Sequence, residues 1–416
     1  MLDLSATQCE YAIYTPALNT NYAQFPYREG TRLPRPLPAG LSMADFDIIR
    51  AEDNSLFKMS HVLYSAGQSL EYQNDPCLVM NRDRNQSVVI GDSGGFQVIG
   101  GVLPPYTPTF VHEILRYLET MADVAMTADV PTRALLDSRK SGYHTFKECL
   151  NQSVANLVQF RDERENPNTR FLNVLQGRDY KEAQVWYEEV RKYKFEGWAF
   201  GGATRLDFHL VCKRLLEMIE NGDLHDNSWL HFLGASFLEV SVVLTALKRA
   251  LRNAGFTNLE ISFDSASSLI SGDKYKRATI GPKYGSTQIS IQRHQLPINR
   301  NGVDFDAPFP FDSPIGQRLK LGDFYDHTKP ADTCFDIVGS AMLANHNIYK
   351  ELASIIEVNR VVDIGARLHG TIPQEVQDAI GAMDSIFNDT GRSAHHLKVN
   401  RRALTHFVKL NEDDLL

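Results

Sequence analysis

Cysteine is scarce and scattered: Cys9, Cys77, Cys149, Cys212 and Cys334 are five in 416 residues, with no C-x-C or C-x-x-C pair. That spacing argues against a knuckle-type metal site or a dithiol redox pair and fits reduced thiols in a cytoplasmic protein. Long apolar runs are missing too. None approaches the roughly 18 residues of a membrane span, so no membrane partner is expected. The polar start Met1-Leu2-Asp3-Leu4-Ser5 does not read as a signal peptide. Positive charge is in deficit, with 43 Lys and Arg against 51 Asp and Glu and a net charge of −8, which disfavours indiscriminate polyanion binding but leaves room for a local basic face. Low-complexity tracts and repeats with periods of about 20 to 50 residues are also absent. A hydrophobic fraction of 43% with 23% charged residues describes a globular chain, long enough for two domains or one large barrel with insertions.

Against these absences stands Val88-Val89-Ile90-Gly91-Asp92-Ser93-Gly94-Gly95-Phe96-Gln97-Val98. A short apolar run closed by an acid and two glycines predicts a buried strand that delivers Asp92 to the rim of a sheet. The glycines allow a tight turn and a close backbone approach to a flat ligand, and Phe96 offers a face for stacking. Similar short runs cover Val124–Asp129, Phe171–Gln176, Trp198–Gly201, Leu230–Gly234 and Leu259–Asp264, each ending in a polar residue or glycine. Helical spacing appears between them over Thr109–Ala122, Tyr180–Tyr193 and Phe237–Ala254, and later over Phe335–Ile356 and Ile372–Phe387.

Alternating strands and helices require parallel pairing with helical crossovers. The expected architecture is an α/β (β/α)8 TIM barrel over residues 1–370, with an irregular Tyr- and Pro-rich lead-in to about residue 45 and a long loop over Pro297–Pro314. A helical extension over 371–416 is expected to pack on it. An open doubly wound sheet is the structural rival, weakened because no Gly-rich phosphate fingerprint follows the first strand. In a barrel, Asp92, Asp129, Gln176, Gly201, Gly202, Gly234 and Asp264 would meet at one mouth. Lys274-Tyr275-Lys276-Arg277 suits a nucleic-acid backbone, or simply a solvated face.

The segments Asp92-Ser93-Gly94-Gly95-Phe96-Gln97-Val98, Val174-Leu175-Gln176-Gly177, Ala199-Phe200-Gly201-Gly202 and Phe263-Asp264, in that order, resemble the tRNA-guanine transglycosylase superfamily over about Lys58 to His346. The resemblance implies exchange of guanine in a polynucleotide for a free 7-deazaguanine base, without a cofactor. It makes Asp264 the nucleophile toward ribose C1′ and Asp92 the general acid/base. Asp129 and Gln176 become contacts to the base edge, with Ser93 and the Gly201-Gly202 backbone beside them and Phe96 and Leu233 as walls of the slot. The chemistry agrees: glycosidic cleavage with retention needs a nucleophilic carboxylate and an acid/base, and a flipped purine needs a stacking face. Asp129 and Asp264 as helix caps, and Gln176 as a strand-end satisfier of backbone groups, are the structural alternatives.

Two departures refine the expectation. The superfamily's tRNA enzymes carry a C-x-C-x-x-C plus histidine zinc site. Here the cysteine cluster is missing and only His346 resembles the histidine, so Cys334 and His346 alone make no convincing site and no metal is expected. Their nucleophile is followed by an arginine-bearing loop, whereas Ser265–Ser271 is neutral here. These features resemble the DNA-guanine transglycosylase branch, which implies DNA as partner and preQ0 or a relative as the inserted base. A tRNA-directed exchanger and a non-catalytic nucleic-acid-binding subunit are the alternatives; the sequence leaves monomer or homodimer open. A barrel lyase or aldolase would need a strand-end lysine or a metal cluster at the mouth.

Overall fold

The computed structural model describes residues 2–4, 9–28, 33–50, 54–297, 304–330, 332–365 and 371–410. Part of the loop expected over Pro297–Pro314, the boundary expected at residue 370 and the acidic C-terminal end lie outside the described residues.

Eight parallel strands close into a barrel in sequential order: β1 (Ile13–Leu18), β2 (His61–Ser65), β3 (Val88–Asp92), β4 (Val124–Met126), β5 (Arg170–Leu175), β6 (Gly197–Phe200), β7 (Trp229–Phe232) and β8 (Glu260–Ser265), with β8 paired back onto β1. The fold is therefore a (β/α)8 TIM barrel. Side chains alternate between the two faces of each strand. One parity, including Ile13, Leu63, Ile90, Val124, Met126, Leu172, Val174, Ala199 and Trp229, forms a separate apolar cluster inside the barrel. The other parity, with Tyr64, Val89, Phe171, Trp198, Phe232 and Ile261, joins the main core under the helices.

After β3 comes a one-turn helix α1 (Gly95–Ile99), and the larger crossovers are α2 (Pro108–Met121), α3 (Phe146–Glu163), α4 (Tyr180–Val190), α5 (Phe208–Glu220) and α6 (Leu238–Asn253). Their starts are chemically set: Thr107, Thr145, Asp179 and Asp207 each accept an N–H of the first turn, satisfying donors that otherwise have no helical partner. Beyond β8, α7 (Ser267–Asp273) leads into an antiparallel hairpin of β9 (Arg277–Lys283) and β10 (Ser290–Gln295), and the long helix α8 (Ile337–Ile364) packs against α7 and β9. The next helix, α9 (Gln374–Asn388), lies on α6, where Asn388 Nδ2 donates to the Ala250 carbonyl at 3.2 Å. Further on, Phe407 meets Phe208 of α5 edge-on at 5.2 Å.

The lead-in needs correction. Residues 13–18 are not irregular but the first barrel strand. Pro16 disguises it, since a proline has no N–H for a ladder. It is accommodated where pairing passes from β8, whose partners run Ile13 to Pro16, to β2, whose partners are Ala17 and Leu18. From Phe57 to Leu63 the sequence is apolar but interrupted by Lys58, Ser60 and His61, and the barrel strand there runs only from His61 to Ser65. The strands expected to reach Asp129 and Gly234 stop at Met126 and Phe232, leaving those residues on mouth loops. Among the described residues no helix is long and apolar enough to cross a membrane.

Candidate active site

Strand alternation explains why the site converges. Asp92 follows Ile90 by two residues, Gln176 follows Val174, Gly201 follows Ala199, Leu233 follows His231 and Asp264 follows Ser262. Each continues the inward-facing parity of its strand past the apolar layer, so together they cap the barrel interior at the carboxyl ends of the strands.

Asp264 ends β8. Its Oδ1 accepts the Gly234 amide N–H at 2.7 Å and lies 3.3 Å from His231 Nε2, while Oδ2 makes no hydrogen bond among the described residues. His231 is fully buried and its Nδ1 is 2.8 Å from Ser262 Oγ, which accepts the Trp229 indole N–H at 2.7 Å. A carboxylate only accepts, so His231 best meets Asp264 with a donor at Nε2 and takes the Ser262 hydroxyl proton at Nδ1. That places the imidazole proton on Nε2, facing Asp264.

Asp92 ends β3, opposite Ser65 of β2, whose hydroxyl donates to Asp92 Oδ2 at 2.5 Å. Burial pushes the Asp92 carboxyl above its usual range, and the charge of Asp264 adds to the rise against the Ser65 hydrogen bond. The two carboxyl groups therefore share one electrostatic site. Asp129 belongs to it as well: burial raises it to about 7, with Asp92 adding and the hydrogen bond from Gln176 opposing. Gln176 Nε2 donates to Asp129 Oδ2 at 2.8 Å, and its buried Oε1 has no partner among the described residues. An acceptor left without a partner beside a carboxyl of divided protonation is a place for a ligand with N–H donors. Tyr106, buried, donates its hydroxyl to the Asp129 backbone carbonyl at 3.1 Å.

The glycines pack the mouth loops closely against one another. A Cβ on Gly94, whose φ is +91°, would stand 2.5 Å from Gly67 Cα, and one on Gly95 would stand 2.9 Å from the Asp129 carbonyl. They let the loops after β2, β3 and β4 touch one another. Gly201 and Gly202 do the same for Gln176, where added Cβ atoms would come 2.7 Å from Nε2 and 2.9 Å from Oε1. Arg205 ties the neighbouring loops together by donating to the carbonyls of Gly202 at 3.1 Å and Gly234 at 3.3 Å.

Ser93 is buried and donates to the Thr127 carbonyl at 3.3 Å, so it braces the mouth. Leu233 is half-buried over the interior cluster. Phe96 is 54% exposed at the rim, its ring centroid 6.0 Å from the Arg133 guanidinium. Lys274 and Arg277 flank Tyr275 at 5.0 and 5.4 Å, whereas Lys276 is drawn over Phe335 at 5.0 Å, into a cavity of about 270 Å³ that also holds Asp273 and Asp336. Of this basic trio Lys274 and Arg277 are exposed and Lys276 is half-buried.

Sequence reasoning missed Ser65, His231, Ser262, Tyr106 and Arg205. The inward parity of β2, β7 and β8 carried a signal for the first three.

His346 does not fit a metal. Its Nε2–H donates to the Thr279 carbonyl at 2.9 Å and its Nδ1 is 2.7 Å from Ser313 Oγ, so both ring nitrogens are engaged in a buried hydrogen-bonding node. Among the described residues no group of three His, Cys, Asp or Glu side chains is disposed to hold a metal.

No protein-family model matches the chain, and no curated protein matches it in sequence.

Proposed function

We propose that this barrel is a base-exchange pentosyltransferase that replaces guanine in DNA with a 7-deazaguanine such as preQ0. The observation that carries the reading is the shared electrostatic site of Asp92 and Asp264, with one oxygen of Asp264 anchored and the other free. Asp264 Oδ2 attacks deoxyribose C1′ and forms an ester as the bond from C1′ to the guanine nitrogen breaks. The departing base takes a proton from Asp92, whose raised affinity for protons suits an acid. An incoming base then returns its ring N–H proton to Asp92, and its nitrogen attacks C1′. The ester breaks, the new glycosidic bond forms, and Asp264 leaves as a carboxylate.

Asp129 and the unpartnered Gln176 Oε1 supply acceptors for the N1–H and N2–H₂ edge of a guanine-type ring. DNA is favoured over tRNA because His346 is committed to a hydrogen-bonding node and the Ser265–Ser271 segment after the nucleophile carries no cation.

The test is exchange of labelled guanine, and of preQ0, into duplex DNA and into unmodified tRNA. Incorporation into DNA, with a covalent enzyme–polynucleotide adduct that Asp264→Asn abolishes, is expected. Exchange into tRNA alone overturns the choice of polymer, and no exchange into either overturns the reaction.

A further inference from the structure

Beside the mouth, the loops after β3 and β4 present a surface the mechanism does not use. Val102 is 75% exposed and Leu136 74% exposed, the two most exposed large apolar side chains of the barrel's mouth loops. They stand among cations. Residues 93–107 carry no charge at all, while residues 131–142 hold Arg133, Arg139 and Lys140 against the single acid Asp137.

These groups are contiguous. A Cβ on Gly101 would stand 3.7 Å from Lys140 Cγ, which puts the Val102 turn against the Lys140 stem. Arg133 and Leu136 are three apart in one 3₁₀ turn, so their side chains align, and Arg133 reaches the ring of Phe96 at the rim of the site. In a chain of net charge −8, a rim that combines exposed cations with two unsheltered aliphatic side chains is complementary to a polyanion bearing apolar faces.

We infer that this rim holds the DNA duplex on either side of the extruded nucleotide, Arg139 and Lys140 on phosphates and Val102 and Leu136 against the base step left open. The inference rests on the base-exchange reading, which needs a nucleotide taken out of the stack, and unstacking is offset where apolar side chains enter the opened step. It assigns duplex contact to the loops after β3 and β4, away from the Lys274–Arg277 segment that follows α7.

The experiment measures binding of a fluorescent DNA duplex with a central G·T mismatch by anisotropy across a salt series, with free guanine binding by calorimetry alongside. For the pair R139E/K140E, duplex affinity is expected to fall by about tenfold or more, and the slope of log affinity against log salt to shrink by about 1 to 2. For V102S/L136S the salt slope is expected to stay as in the wild type, with the loss confined to the mismatched duplex. Both pairs should bind guanine as the wild type does, which separates contact loss from misfolding. Wild-type duplex affinity and slope in both pairs overturn the rim assignment and leave base exchange standing. A wild-type protein that binds guanine but no duplex overturns the DNA reading together with the rim, and weakened guanine binding in either pair overturns the separation of rim from slot.

Discussion

Gly234 gives its amide N–H to Asp264 Oδ1 at 2.7 Å, with Gly234 itself in the left-handed region at φ +61°. The same oxygen faces His231 Nε2, so the carboxylate is held by one atom from two sides and presents the other to the mouth. On the base-exchange reading proposed above, a nucleophile held this way before substrate arrives loses less freedom in the attack.

His231→Phe removes the Nε2–H donor while keeping a ring in the buried space. The expected outcome is a fall in kcat of about 10- to 100-fold, corresponding to about 1.4–2.7 kcal/mol of barrier, with KM for the free base unchanged. Steady-state kinetics at fixed polymer concentration check it. An equal rise in KM with kcat intact places His231 in binding instead.

Asp129 governs a pH dependence. Its carboxyl, raised to about 7, must be ionised to accept N–H groups from a guanine-type base. Protonation below that value turns an acceptor into a donor, so affinity for the free base is expected to rise with pH through about 7 and to level off above it. Calorimetric titration between pH 5.5 and 8.5 reads the curve. In Asp129→Asn the rise should vanish and affinity should stay low throughout.

Gly202→Ala strains two things at once. The backbone sits at φ +68°, and the new Cβ would come 2.8 Å from the Gly177 carbonyl and 2.9 Å from Gln176 Oε1. A cost of about 1–3 kcal/mol is expected, taken partly as displaced Gln176 and therefore as a higher KM for the base, partly as a lower Tm. Calorimetry together with kinetics separates the two.

The His346 node is structural. Burial lowers the imidazole to about 4, so it stays neutral in the physiological range, and its two hydrogen bonds join α8 to β9 and to the Ser313 loop. His346→Ala leaves a cavity and two groups without partners, and about 2–4 kcal/mol of stability should be lost. Incubation with a chelator is expected to leave Tm unchanged. A Tm that falls with chelation and recovers with zinc contradicts this account.

Much of the architecture was legible along the chain. Short apolar runs ended by polar residues, separated by amphipathic helices, are what a parallel barrel requires locally, and they located six of its eight strands. The first two escaped because Pro16 and the polar residues Lys58, Ser60 and His61 break the pattern of an apolar run, and only pairing with already formed neighbours makes those segments strands.

What the sequence determined by itself was the inventory: aspartates, a glutamine and glycines at the ends of strands, with alternation of period two setting which side chains turn inward. Only the closed tertiary structure decided how they act on one another. Asp92, Asp129 and Asp264 lie far apart in the chain, and the raised proton affinities of Asp92 and Asp129 arise from burial and from the neighbouring carboxylates, Asp264 acting on Asp92 and Asp92 on Asp129, which exist only once β8 meets β1. The His231 proton is likewise placed by a hydrogen-bonding chain running between two strands. Both effects depend on distance through space in a medium that excludes water, and linear order carries neither.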